Sequence, residues 1–172
     1  FKHLRNVLMQ DDQPVRYMDA ITERYARLGY TPYRWYHAED SMPCVPLAKP
    51  LSECRIGALT TSGVYAIGQV AFHYKDDASL REIPSDTEDA DLRFSHLTQQ
   101  YLVNAKRDPN CIVPLKALRK LVHNGVIGAL ADAIFSCMGG IYSQRRVREE
   151  LIPVLHRRFV EQKVDAVLLA PM

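Results

Sequence analysis

Val164-Asp-Ala-Val-Leu-Leu-Ala170 decides the fold, read together with the amphipathic helix pattern from Arg145 to Gln162 that precedes it. In that pattern Val147, Leu151, Val154, Leu155 and Phe159 fall on one face. The short apolar run behind it reads as a strand. Upstream, Ala133-Ile-Phe-Ser-Cys-Met138 is a second apolar run, closed by Gly139-Gly140. Strand, helix and strand in that order predict a parallel pair with a crossover helix.

Working outward, Leu115 to His123 has Leu115, Leu118, Leu121 and Val122 on one helical face. Pro114 suits its entry, and Asn124-Gly125 stops it. Ile127 to Ala133 reads as another helical turn or two. Two more strands are expected, Arg55-Ile-Gly-Ala-Leu-Thr-Thr61 and Asp91-Leu-Arg-Phe-Ser-His96. Tyr74 to Pro84, with Arg81 in its middle, reads as an irregular polar loop. Four short apolar runs, several separated by helices, predict an α/β fold: an open, mostly parallel sheet with flanking helices. A strand at the end of the chain implies a sheet incomplete at its C-terminus, with an exposed apolar face and a tendency to form a homo-oligomer.

Residues 1–50 read differently. Asp19 to Leu28 is a short amphipathic helix stopped by Gly29, and Tyr30, Tyr33, Trp35 and Tyr36 then crowd among Pro32, Pro43, Pro46 and Pro50. This aromatic, proline-rich arm is expected to pack on the 51–172 domain. A base-stacking surface would bring a basic cluster with the rings, and none accompanies them.

Composition excludes several classes. The 172 residues suit one domain with a real core, and 47% hydrophobic against 24% charged is ordinary globular balance. A net charge of +2 implies neither nucleic acid nor membrane surface. Cysteines 44, 54, 111 and 137 form no Cys-x-x-Cys pair and no His-Cys metal spacing, so they read as reduced, buried thiols. No metal and no cofactor is expected. No apolar run reaches the ~20 residues a membrane helix needs. The start, Phe1-Lys-His-Leu-Arg5, resembles neither a signal peptide nor an initiator, and a cytoplasmic location with an earlier natural start is expected.

In open α/β sheets ligands bind beyond the carboxyl ends of the strands. Those ends offer Thr60-Thr61-Ser62-Gly63, whose hydroxyls and backbone N–H groups suit a carboxylate or phosphate. They also offer Ser95-His96 and Ser136-Cys137-Met138-Gly139-Gly140. The candidate set is therefore His96 as the acid–base or orienting group, with Thr61, Ser62, Gly63, Ser136 and Gly139 around a small substrate. His96 also has a bland reading as a satisfied, half-buried histidine, and Cys137 reads as a core thiol. Asn110 is placed to tie the Asp108-Pro109 turn to its neighbours.

The ordered set Phe94-Ser-His96, Asp108-Pro-Asn110, Val113-Pro114, Leu118 through Asn124-Gly125-Val-Ile-Gly128, Phe135-Ser136, Met138-Gly139 and Val164 to Pro171 resembles the glycine/sarcosine/betaine/D-proline reductase selenoprotein B family. Arg55 to Gly63 and Arg81-Ile83-Pro84 join it, so the resemblance spans 51–172 and leaves the arm outside. It is closer to stand-alone bacterial relatives than to clostridial complex subunits. The resemblance implies reductive cleavage of carbon–heteroatom bonds in small amino-acid-like substrates. A selenocysteine attacks the α-carbon, an amine leaves, and the selenoether passes to a thiol or selenoprotein reductant partner. In the complexes the substrate is held as a Schiff base on a pyruvoyl-containing partner. The nucleophile lies in a selenocysteine/cysteine redox motif just after the strand matching Val164–Pro171, which here places it just after Met172. The chain is accordingly expected to be cut before its redox residue, as a selenocysteine codon read as stop would do.

Two other classes remain. A non-catalytic binding or assembly module could use the same scaffold. A racemase of the aspartate/glutamate kind would need two strand-end cysteines, and Cys137 alone does not suffice.

Overall fold

The computed structural model describes residues 16–31, 37, 39–42 and 45–172. It divides at 44/45 into two units, each taken by itself. In the first, α1 (Tyr17–Arg27) is a helix with no buried residue, ended by Gly29 at φ +78°. Tyr25 and Tyr30 meet edge to face at 5.9 Å. Tyr33, Trp35 and Tyr36, singled out above, lie outside the described residues.

The second unit is built on β1 (Arg55–Thr60), whose two edges are both occupied. On one side β7 (Ala166–Ala170) runs parallel to it in register Ile56↔Ala166 through Thr60↔Ala170. On the other side lie β5 (Ala129–Leu130) and β6 (Ala133–Ser136), also parallel. The pairs Arg55↔Ala129 and Leu59↔Phe135 set four steps of β1 against six of its partner. β5 and β6 are therefore one strand interrupted by Ala131-Asp132, a two-residue bulge. β3 (Arg81–Pro84) adds antiparallel to β6 as an edge strand, where Pro84 is tolerated. A separate antiparallel ribbon pairs β2 (Val64–Ala66) with β4 (Leu92–Phe94).

Three expectations change here. The run at Asp91–His96 forms a strand, but it belongs to the ribbon, so the sheet has three parallel strands, β7, β1 and the bulged β5/β6, rather than four. The segment read as a polar loop ends in β3, a fourth member of the sheet. Within Ile127 to Ala133 the pair Ala129–Leu130 is the bulged strand's first half, and no helical turn forms there.

Helices cover both faces. Ile56, Ala58 and Ile134 point into a core with Val64, Ile83, Leu92, Val113, Ile127 and Leu115 and Leu118 of α3 (Leu115–His123). Between β4 and α3 lies α2 (Val103–Arg107), and Asn110 closes the next turn. Its amide donates to Asp89 Oδ2 at 2.8 Å, and its Oδ1 accepts from Lys116 N at 3.0 Å. The opposite face is covered by a continuous helical stretch, α4 (Gln144–Arg146), a π-helical segment (Val147–Leu151) and α5 (Ile152–Glu161). Pro153 accounts for the wide turn: it donates no N–H and its ring would press on the carbonyl four residues back. Phe159 of α5 meets Phe135 edge-on at 5.0 Å. It also lies over Gly57, where a Cβ would come within 2.7 Å of its ring and 3.1 Å of Val164 Cγ1.

The amino ends of the strands are pinned by charge. Asp165 Oδ2 accepts from Arg55 N at 2.6 Å and pairs with Lys49 Nζ at 2.8 Å. On the far edge Val167, Leu168 and Leu169 stay exposed.

Gly57→Ala should overpack this seam and lower stability by about 1–3 kcal/mol. Urea unfolding should show a lower midpoint at unchanged slope, and Phe159→Leu in the same chain should recover part of the loss.

Candidate functional site

Register brings three strand ends abreast. Thr60 lies beside Ser136 and Ala170, so the residues just past β1, β6 and β7 share the carboxyl edge of the sheet. The segment after β1 is stitched to both neighbours. Thr61 N donates to Ala170 O at 3.3 Å, Gly63 N to Cys137 O at 3.1 Å, and Cys137 N to Thr60 O at 3.0 Å. Ser62 N donates to Thr60 Oγ1 at 3.3 Å, and that hydroxyl donates to Ser62 Oγ at 2.8 Å. All three amides of Thr61-Ser62-Gly63 are thus engaged within the chain. The turn does not present the anion nest expected from its composition; what Thr61 offers is its carbonyl and its hydroxyl. The hydroxyl accepts from Met172 N at 2.9 Å.

His96 reaches this edge from the other sheet. Ser95 N donates to Gly63 O at 3.0 Å, locking the end of β4 across the end of β1. The crossing requires glycine: Gly63 has φ +65°, and a Cβ there would lie 2.2 Å from Ser95 O. Ser95 Oγ donates to Phe72 O at 2.8 Å, and the Phe72 ring stacks under the Arg81 guanidinium at 4.2 Å.

His96 is buried, 7% exposed as a residue. Its Nδ1 lies 2.9 Å from Thr98 Oγ1 and accepts from Thr98 N at 3.1 Å. Nε2 is shielded and has no hydrogen-bond partner. It faces Gly139: a Cβ on that glycine would lie 3.1 Å from Nε2, 2.9 Å from Thr61 O and 3.2 Å from Met172 O. Burial lowers the imidazole pKa below its usual 6.5, and the nearby Thr61 carbonyl opposes that shift only in part. Ser136 Oγ is also buried without a partner.

The candidate residues Thr61, Gly63, His96 and Gly139 therefore meet in one cluster. Ser62 is adjacent, fully buried, with its oxygen accepting from Thr60. Ser136 sits one step back, beside Thr60 in the sheet. Both Ser136 and Cys137 are buried. Thr98 and Met172 belong to the cluster and were missed. A threonine two residues after a histidine is the available signal, since a side-chain acceptor at i readily takes the N–H of i+2. A cleft of about 610 Å³, lined by Tyr65, Asp89, Arg93, Lys106, Arg107 and Lys116, shares no residue with this cluster.

Residues 89–171 match the family model described as glycine/sarcosine/betaine reductase selenoprotein B. D-proline reductase subunit gamma of Acetoanaerobium sticklandii is 34% identical over 124 residues, which cover 72% of this chain and 51% of that protein. The chain belongs to the glycine/sarcosine/betaine/D-proline reductase selenoprotein B family. It spans about half the length of the curated relative it matches. No solved structure matches it. Within this selenoprotein B-family chain, His96, Ser136, Gly139 and Thr98 lie inside the matched residues 89–171, and Thr61 to Gly63 lie before them.

Other chemistry is constrained by the same geometry. Burial pushes the Cys137 thiol up to about 11, so it is protonated at neutral pH and no nucleophile. That leaves the racemase reading without its thiolate. Among the described residues no three His, Cys, Asp or Glu side chains gather as a metal site, and no helix is long and apolar enough to cross a membrane.

Iodoacetamide on native protein near pH 7.5 should modify Cys111, which is exposed, and spare Cys54 and Cys137 until the chain unfolds; mass spectrometry of digests reads this directly. His96 gives a pH signature. Its folded pKa is lower than the unfolded one, so the unfolded chain takes up the proton first. Stability should therefore fall as pH drops below about 6.5, with no His96 contribution above it, and His96→Gln should flatten that part of the curve.

Proposed function

We propose that the chain forms the substrate-side scaffold of a selenocysteine- or cysteine-dependent reductase acting on carbon–heteroatom bonds of small amino-acid-like substrates. The redox residue is carried by polypeptide continuing from Met172. The observation that supports this most is the position of the Met172 backbone. Its N–H is held by Thr61 Oγ1, and its carbonyl converges with His96 Nε2 and Thr61 O around Gly139, where a Cβ would lie within about 3 Å of all three. A residue following Met172 would emerge beside the one buried imidazole of the described edge. A selenolate or low-pKa thiolate there would form its bond to the substrate carbon as the carbon–nitrogen bond breaks and the amine leaves with a proton. A thiol or selenoprotein partner, as the name of the relative's subunit suggests for a multi-subunit enzyme, would supply the two electrons that free the product.

In this reading His96, Thr61 and Gly139 bound the substrate, and Gly63 holds the crossing that delivers His96. Ser62 and Ser136 shape the buried floor. The reaction takes place in the cytoplasm, where thiol reductants are available.

A second reading is an assembly module without chemistry. The exposed Val167, Leu168 and Leu169 on the outer edge of β7 favour it, because unpaired apolar strand edges recruit partners, a second copy included.

The chain joined to its continuation, with cysteine or selenocysteine as the next residue, should cleave the α-carbon–nitrogen bond when a dithiol and its partner subunit are supplied, releasing amine from glycine, sarcosine or betaine and opening the ring of D-proline to a 5-aminopentanoate. His96→Ala should lower turnover by about 10²-fold with the fold intact. Partner binding without turnover on any of the four would favour the assembly module.

A further inference from the structure

We infer that Thr98 is a positioning residue that fixes the His96 proton on Nε2, so that this nitrogen binds a substrate oxygen and does not protonate the leaving amine. The inference rests on the site reading above, and it deepens it by assigning which end of the substrate meets His96.

The geometry has one direction only. Thr98 N–H lies 3.1 Å from Nδ1 and can do nothing but donate. Nδ1 must therefore present its lone pair, and Thr98 Oγ1, at 2.9 Å, adds a second donor to the same atom. A neutral imidazole has one N–H, which is left to Nε2. An imidazolium would aim an Nδ1 proton at the Thr98 amide proton, so the charged form is opposed by this contact. Burial opposes it as well, and no charged side chain is among the causes of the lowered pKa to restore it.

A neutral imidazole N–H is far too weak an acid to deliver its proton to an amine, yet it is a good donor to an oxygen. The ring of polar atoms around Gly139 then has a fixed polarity. Nε2–H is its donor, and the carbonyls of Thr61 and Met172 are its acceptors. A carboxylate or carbonyl oxygen fits the first, and an N–H-bearing group fits the other two. Serving as acid to the leaving group, the role the sequence allowed His96, is the one this arrangement disfavours.

The test needs only the chain itself. Long-range proton–nitrogen NMR of the His96 ring between pH 5 and 8 should show Nδ1 with an acceptor's shift and Nε2 with a protonated nitrogen's shift. Thr98→Ala removes one donor from the neutral form, so the His96 pKa should rise by roughly 0.5–1 pH unit. Thr98→Ser should return it to the parent value. An Nδ1–H tautomer in the parent chain, or a Thr98→Ala pKa that does not move, would overturn the inference. Sodium acetate and ethylammonium chloride then serve as probes of polarity. Acetate should shift the Nε2 resonance and ethylammonium should not; the reverse pattern overturns the assignment of substrate ends. If neither probe reaches Nε2 while the tautomer is as stated, the substrate-site reading fails and the positioning role of Thr98 stands.

Discussion

Everything at the candidate site hangs from β1. A strand paired along both edges and covered on both faces has no solvent side, so each residue in it must satisfy a neighbour. Ile56 and Ala58 fill the core toward α3, while Gly57 leaves room for the Phe159 ring, which in turn meets Phe135. Parallel register then does the positioning. Once Gly57 to Thr60 are fixed against Val167 to Ala170, the ends of β1, β6 and β7 arrive level with one another. The cluster of Thr61, Gly139 and Met172 follows from that alignment, and the Met172 N–H on Thr61 Oγ1 closes it.

The sheet was legible where a run of apolar residues is buried on both faces. Arg55 to Thr60 and Ala133 to Ser136 have that character, whereas Ala166 to Ala170 was legible from its apolar letters although its residues stay partly or largely exposed. The misread segments are those whose burial comes from only one side. Arg81–Pro84 buries Ile83 alone, with Arg81 spent on carbonyls of Val70 and Ala71, so its polar letters concealed an edge strand. Asp91 to His96 has the letters of a strand, and nothing in them says which sheet it joins. Ile127 to Ala133 has no periodicity of its own because a bulge interrupts it.

The site was legible as a list of residues and not as a set of bonds. Position at the carboxyl edge found His96, Thr61 and Gly139. Composition suggested free amides after β1, whereas the tight packing of three strand ends engages each of them. Thr98 escaped notice because its contribution is partly a backbone N–H, which any residue but proline carries. The Nδ1 contact narrows what the histidine on that edge can do.

The wide turn at Val147–Leu151 has a consequence for rotational phase. The inward residues of this helical stretch, Val147, Leu151, Leu155 and Phe159, recur every four positions. On a regular α-helix such a repeat drifts by about 40° each time, and three repeats would swing Phe159 well away from the line of Val147. A turn that takes up an extra residue cancels much of that drift. The helix is in effect retimed by Pro153, and the aromatic ring that closes over Gly57 arrives facing the sheet because the turn before it is too wide.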